Sequence, residues 1–240
     1  MKAAVVQLLK VDPDLGEHMD SQAREQATEV IRARVFRVPK GQWEPPDIDH
    51  GSTGLLLLDG LMVRTLRLGP VSSAEVVGAS DIIRPWEKHL IPSVLPATAE
   101  WRVLHEARVA LIDGRATALI GRWPELSATV SGRLLRRARS LAFLMAAQQF
   151  VRVEDRLLAA LWHLASMWGK VTLRGTVVPF RLTHEMLGNI IGAKRPTTTT
   201  AVRSLTSQGR LARDDDRFYV LRGDPPDWSR EQPQVASLEV

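Results

Sequence analysis

Between positions 194 and 203 the chain reads Lys194-Arg195-Pro196-Thr197-Thr198-Thr199-Thr200-Ala201-Val202-Arg203. Guanidinium groups and hydroxyls at this density share one chemistry, which is bonding to oxygen-rich partners. Arginine can span a phosphate, or the O6/N7 edge of guanine, with two parallel N–H donors. Threonine brings a hydroxyl for phosphate and a methyl that matches the methyl of thymine. The run Thr197 to Thr200 is a poor intrinsic helix former. As scaffold it is hard to justify, and as a contact surface it is sensible.

Other chemistries lack their residues. The chain contains no cysteine, which removes disulfides, thiolate zinc sites, iron–sulfur clusters and thiol redox sensing. It has no phosphate-binding glycine loop, no H-E-x-x-H and no G-x-S-x-G, so no enzymatic reaction is expected. The six histidines form no short metal-ligand spacing. His50, His89 and His105 lie where a haem ligand could sit, but a lone histidine in a β-rich domain is more often a surface or hydrogen-bonded residue. Asp47, Asp49 and Asp81 read as turn residues rather than a catalytic pair. No cofactor and no metal are expected.

Charge singles out the same region. Residues 170–222 hold ten Lys/Arg against four acids, a net +6, within a chain whose formal charge is only +5. Residues 1–169 carry 21 basic and 19 acidic residues, and the stretch from Gly223 carries one Arg and four acids. A positive field confined to one short segment fits a surface that meets phosphates.

The elements that must position this run can be read from periodicity and turn residues. Val171-Thr172-Leu173 and Val177-Val178-Pro179-Phe180 read as two short strands. Thr183 is a good helix N-cap, and Met186, Leu187, Ile190 and Ile191 give the apolar stripe of a helix of about eight residues. Gly192-Ala193-Lys194 forms a turn with glycine where a left-handed residue is needed. Pro196 suits the first turn of the next helix, whose inward face is Ala201, Val202 and Leu205 and whose outward face is Arg195, Thr197, Thr199, Thr200 and Arg203. Leu211-Ala212-Arg213, an acidic turn at Asp214-Asp215-Asp216, and Phe218 to Leu221 form a hairpin. Two helices joined by a tight glycine turn and followed by such a wing make a winged helix-turn-helix.

Upstream the texture differs. Residues 1–27 are polar and irregular, and a loosely ordered N-terminal arm is expected. From 28 to 121 short apolar runs broken by Gly, Pro and Asp predict a β-roll, with Asp59-Gly60 as a hairpin turn between two of the runs. Leu126, Val130, Leu134, Ala138, Leu141 and Met145 recur at spacings of three and four and predict one long helix, within 122–151, whose seam pairs with a second copy of the chain. Arg133, Arg136, Arg137 and Arg139 fall on its other side. A second helix, Arg152 to Trp168, is apolar over a wide arc, so Trp162 and Trp168 read as packing residues, and Gly169 stops it. The expected organisation is arm (1–27), β-roll sensor (28–121), dimerisation helix (122–151), winged helix-turn-helix (152–222) and flexible tail (223–240), an α+β chain. The short apolar run at the N-terminus is too brief for a signal peptide, and no run approaches the roughly 18 residues of a membrane span. A soluble, cytoplasmic protein with no membrane partner is expected.

The stretch Leu182-Thr183-His184-Glu185-Met186-Leu187 through Gly192-Ala193-Lys194-Arg195-Pro196-Thr197, with Ala201 to Leu205, Gly209 and the wing, resembles the C-terminal half of the Crp/Fnr transcription-regulator superfamily. The order β-roll then long helix is similar to that superfamily's architecture. The resemblance implies sequence-specific binding of double-stranded DNA by a homodimer on a pseudo-palindromic site, with RNA polymerase and an unidentified small-molecule effector as further partners. It places Arg195 at the guanine-reading position, Pro196 where the family usually has an acid, and Thr200 where it frequently has Arg. Thr199 is a further base-contacting candidate on the same face. Thr183, His184, Lys194, Thr197 and Arg203 are then the phosphate-contacting candidates. The family's effector pocket uses a Gly-Glu pair followed by Arg-Ser or Arg-Thr. The matching stretch here, Ile91 to Val103, has no Gly-Glu and follows Arg102 with Val103, so control by cyclic AMP is not expected. The rival reading is a ligand-responsive module that uses its winged helix to dock a protein.

Overall fold

The computed structural model describes residues 3–46, 48, 51–86 and 96–228. They divide into two compact units, Met1–Ala146 and Ala147–Val240.

The first unit opens with β1 (Ala3–Gln7), α1 (Leu8–Val11), a 3-10 turn (Pro13–Gly16) and α2 (Ser21–Val30). The expected loose arm is thus structured. Leu8, Leu9, Leu15 and Ile31 are buried, and Asp20 caps α2 by accepting from the Ala23 N–H at 2.8 Å. Then follow β2 (Arg32–Val38), β3 (Gly41–Trp43), β4 (Gly54–Leu68), β5 (Val71–Gly78), β6 (Ile82–Ile83) and β7 (Ala97–Ile112). The strands form one antiparallel sheet in the order β1-β2-β7-β4-β5, with β3 added to β7 and β6 to β4.

The run Leu55-Leu56-Leu57 is continuously apolar because both sides of β4 are covered. Leu55 and Leu57 join a core with Trp43, Met62, Trp86 and Trp101. Leu56 points the other way, into a core with Leu8, Leu15, Ile31 and Ile120. Asp59-Gly60 is not a hairpin. It is an irregularity inside β4, where the pairing with β7 shifts register. Gly60 has φ +89° there, and a Cβ would lie 2.4 Å from the Ala107 Cα, so only glycine fits. The hairpin is made by Gly69-Pro70, which joins the paired residues Leu68 and Val71.

Helix α3 (Gly114–Ile120) leads into α4 (Pro124–Ala147). Leu126 and Val130, expected at a dimer seam, are instead 0% and 7% exposed in the first unit's own core. At about 100° per residue, a four-residue step advances a stripe by about 40°. Two steps carry Leu134 off the packed face, and Leu134, Ala138, Leu141 and Met145 are exposed. Three of the arginines expected on the side opposite the seam bond to this unit. Arg133 makes a two-pronged ion pair with Asp12, both side chains buried. Arg137 bonds Glu75, which Arg64 also reaches at 3.1 Å. Arg136 donates to the Ser80 carbonyl at 3.1 Å. Asp81 is a turn residue as expected, accepting from the Gly78 N–H at 2.8 Å, and burial pushes its carboxyl above the usual range.

The second unit contains α5 (Val153–Trp168), β8 (Lys170–Thr172), β9 (Gly175–Val178), α6 (His184–Ile191), α7 (Arg195–Ser207), β10 (Leu211–Arg213) and β11 (Tyr219–Leu221), with an antiparallel sheet ordered β10-β11-β9-β8. Helix α5 carries the floor, burying Leu157, Leu161 and Leu164. Trp168 meets the buried Phe180 edge-on at 6.1 Å, a packing contact as expected. Among the described residues no helix is long and apolar enough to cross a membrane, and no group of three or more His, Asp or Glu could hold a metal.

Candidate nucleic-acid interface

Helix α6 starts where its cap predicts, with Thr183 Oγ1 accepting from the Met186 N–H at 3.1 Å. It ends at Gly192, whose φ of +66° and ψ of +36° are left-handed. The Ala193 N–H returns to the Gly188 carbonyl at 2.9 Å. Gly188 has no room for a side chain, since a Cβ there would stand 2.5 Å from the Ala193 carbonyl oxygen and 3.1 Å from Thr198 Oγ1. This close approach fixes how α7 leaves the turn. Gln148 adds a clamp that the sequence reading missed, donating from Nε2 to the Ile190 carbonyl at 2.8 Å.

Helix α7 is two-faced. Thr198, Ala201, Val202 and Leu205 are buried, while Arg195, Pro196, Thr197, Thr200 and Arg203 are exposed. The expected reading face is therefore outward, with two differences. Thr198 is wholly buried and belongs to the packed side. Thr199 is half-buried and already engaged. The hydroxyls of Thr198, Thr199 and Thr200 donate back to the carbonyls of Lys194, Arg195 and Pro196 at 3.1, 2.9 and 3.2 Å. This back-bonding explains how a threonine run sustains a helix. It leaves methyl groups and oxygen lone pairs outward, with the cationic donors supplied by Arg195 and Arg203. Lys194 is exposed at the N-cap and makes no side-chain cap bond.

The wing root completes the surface. Arg213 of β10 donates to His184 Nε2 at 3.2 Å and to the Tyr219 hydroxyl at 2.6 Å. Its guanidinium also lies 4.5 Å from the centre of the Tyr219 ring. Arginine is only a donor, so Nε2 must accept and the proton of the neutral ring sits on Nδ1. Nδ1 then donates to Thr199 Oγ1 at 2.8 Å, which in turn donates to the Arg195 carbonyl. One directed chain of hydrogen bonds thus runs from the wing through α6 to the first turn of α7. Burial lowers the His184 pKa first, and the charges of Arg213, Arg195 and Arg203 lower it further. At neutral pH the imidazole is uncharged, as the hydrogen-bond pattern requires.

Around the wing turn, Asp214 accepts from the Phe218 N–H at 2.7 Å, and Arg181 Nε donates to the Asp216 carbonyl at 2.9 Å. Arg213 and Tyr219 were missed in the sequence. They face each other across the wing in register, and counting back across the Asp214–Asp216 turn would have paired them. Of the other candidates, His105 and Arg102 are exposed on β7, while Asp47, Asp49, His50, His89 and Ile91–Leu95 lie outside the described residues.

Residues 155–224 match the family model described as the Crp-like helix-turn-helix domain. No curated protein sequence matches the chain. Among solved structures, a cyclic nucleotide-binding domain containing protein from Listeria monocytogenes aligns with a TM-score of 0.64 and 13% identity, covering 89% of this chain and 97% of that one. A variant of CooA from Carboxydothermus hydrogenoformans aligns with a TM-score of 0.60 and 17% identity, covering 91% and 92%. A CRP-family transcriptional regulator from Thermus thermophilus aligns with a TM-score of 0.58 and 21% identity, covering 78% and 92%. At these identities the likeness is one of fold, an N-terminal cyclic-nucleotide-binding-like sheet domain followed by a Crp-type helix-turn-helix.

Proposed function

We propose, for a chain whose residues 155–224 form a Crp-like helix-turn-helix domain and whose fold is that of the CRP/FNR regulators, that it is a sequence-specific DNA-binding transcription regulator. The carrying observation is the rod α7, which buries Thr198, Ala201, Val202 and Leu205 and turns Arg195, Pro196, Thr200 and Arg203 outward. In this reading α7 enters the major groove. Arg195 reads a guanine edge, and Thr200 and the half-buried Thr199 face neighbouring bases. Pro196 offers no acceptor for cytosine, so the target differs from the familiar family palindrome. Lys194, Thr197, Thr183 and Arg203 meet phosphates, and His184 serves more by holding Thr199 and Arg213 than by free contact.

The protein acts as a homodimer through the outer face of α4, on half-sites about 34 Å apart. Leu134, Ala138, Leu141 and Met145 form that face, without Leu126 and Val130. Control by cyclic AMP is not part of the proposal. The stretch Ile91 to Val103 lacks the family's Gly-Glu and Arg-Ser elements, and Arg102 is exposed. RNA polymerase is the partner a bound regulator would address, in the cytoplasm.

The test is duplex selection from a random pool, followed by affinity measured against salt. A log–log slope corresponding to several released counterions supports DNA binding. No affinity for duplex at low salt would instead favour a module that docks protein.

A further inference from the structure

The first unit carries a groove of about 780 Å³ whose rim is arginine. Arg32 and Arg34 come from β2, where alternate residues share a face, so they stand about 7 Å apart along the strand. Arg115 lies in the first turn of α3 and Arg122 two residues past its C-terminal end. All four are exposed, and none makes a side-chain hydrogen bond or ion pair with another described residue. This sets them apart from Arg133, Arg136 and Arg137 of the same unit, each of which is spent on a carboxylate or carbonyl.

Between these cations lies apolar surface. Val5, at 62% exposure, and Val30, at 44%, are among the exposed large hydrophobic residues of the chain, and Leu119 adds to the lining. Two carboxylates are also present. Asp113 is occupied, since it caps α3 by accepting from the Ala116 N–H at 2.9 Å. Glu29 is exposed at the edge. Four guanidiniums against two carboxylates leave a local charge of +2.

We propose that this groove binds a small organic ligand carrying at least two phosphoryl groups. The volume falls in the range of small-molecule sites, about 300–1,000 Å³. Planar guanidinium forks suit phosphate oxygens better than any other side chain does. The arginine spacing suits charges distributed over a ligand rather than one isolated ion, and the valine and leucine surface accommodates its apolar body. Glu29 accepts from a hydroxyl or amino group on that body. None of the buried tryptophans Trp43, Trp86 and Trp101 lines the groove.

Binding is tested on the full chain by isothermal titration and thermal shift, with tripolyphosphate and ATP as probes. Saturating probe should raise the Tm by about 3 °C or more. The paired variants R32A/R34A and R115A/R122A should each weaken binding at least about tenfold while leaving the unliganded Tm nearly unchanged. Because α7 is itself basic, R195A/R203A is the control, and it should keep the thermal shift. ATP should bind more tightly than tripolyphosphate, reflecting the apolar surface. A shift lost in R195A/R203A but kept in both groove variants would overturn the proposal. So would no binding of either probe, or binding of an acidic peptide with no binding of ATP.

Discussion

Arg213 of the wing and His184 of the first motif helix are joined by a 3.2 Å hydrogen bond in which imidazole Nε2 is the acceptor. The bond exists only while His184 is neutral. Its folded pKa is held below the ordinary 6.5 by burial and by Arg213, Arg195 and Arg203. Below 6.5 the unfolded chain takes up a proton more readily than the folded one, so stability from this group is full above about pH 6.5 and is lost as pH falls toward the native pKa. The C-terminal unit should therefore weaken on mild acidification, and His184→Gln should flatten that dependence. An NMR titration placing the His184 midpoint above 6.5 in the free protein would contradict the arrangement.

Arg195→Ala should reduce binding to a selected duplex by about 1–3 kcal/mol and relax preference at one base pair. Arg203→Ala should weaken all duplexes alike and lower the salt slope by about one unit. Competition with point-substituted sites separates the two patterns.

Helix α4 offers a contrast between neighbours in one stripe. In the proposed homodimer, Leu134→Glu, on the exposed face, should shift sedimentation from dimer to monomer without unfolding the first unit. Leu126→Ala should cost about 2–5 kcal/mol of stability, because it opens a cavity in a core where the residue is 0% exposed, and should leave the dimer intact while folded. If Leu126→Ala dissociated the dimer and Leu134→Glu did not, the assignment of faces would be reversed.

The buried pair Asp12–Arg133 makes a fourth case. Asp12→Ala strands a guanidinium away from water and should cost about 3–5 kcal/mol in denaturant unfolding. Replacing both partners, as D12L/R133M, should recover most of that loss, since the desolvation of both charges is removed together. A single-variant loss below about 1 kcal/mol would mean that water reaches Arg133.

The motif was legible because its signals are local. Thr183 caps, Gly192 turns, Pro196 starts and the spacing of Ala201, Val202 and Leu205 buries, each within a few residues of its effect. The first unit was less legible because its signals are not local. Leu8 and Leu9 belong to a short apolar run and Leu15 sits among polar residues, and their burial depends on strands and helices far along the chain. Asp59-Gly60 has the composition of a turn, yet the pairing of β4 with β7 on both sides of it overrides that preference. Gly69-Pro70 carried the turn signal instead. Arg133 reads only as a residue opposite the seam until Asp12, 121 positions away, is brought beside it. The four-residue stripe on α4 gave the right helix, but its drift about the axis turns Leu126 and Val130 into the first unit's core and leaves Leu134, Ala138, Leu141 and Met145 exposed. At the interface, the pairing of Arg213 with Tyr219 required the wing register, which is set by the turn.

Tyr219 is the chain's single tyrosine. It lies beneath Arg213, fully buried, with burial holding its phenol above the usual range. Every phenolate signal the protein gives on alkaline titration must therefore come from the root of the wing. A late, cooperative rise in that absorbance reports the wing coming away from its helices, and a duplex that grips both should delay it. The molecule carries an optical gauge at the root of its wing.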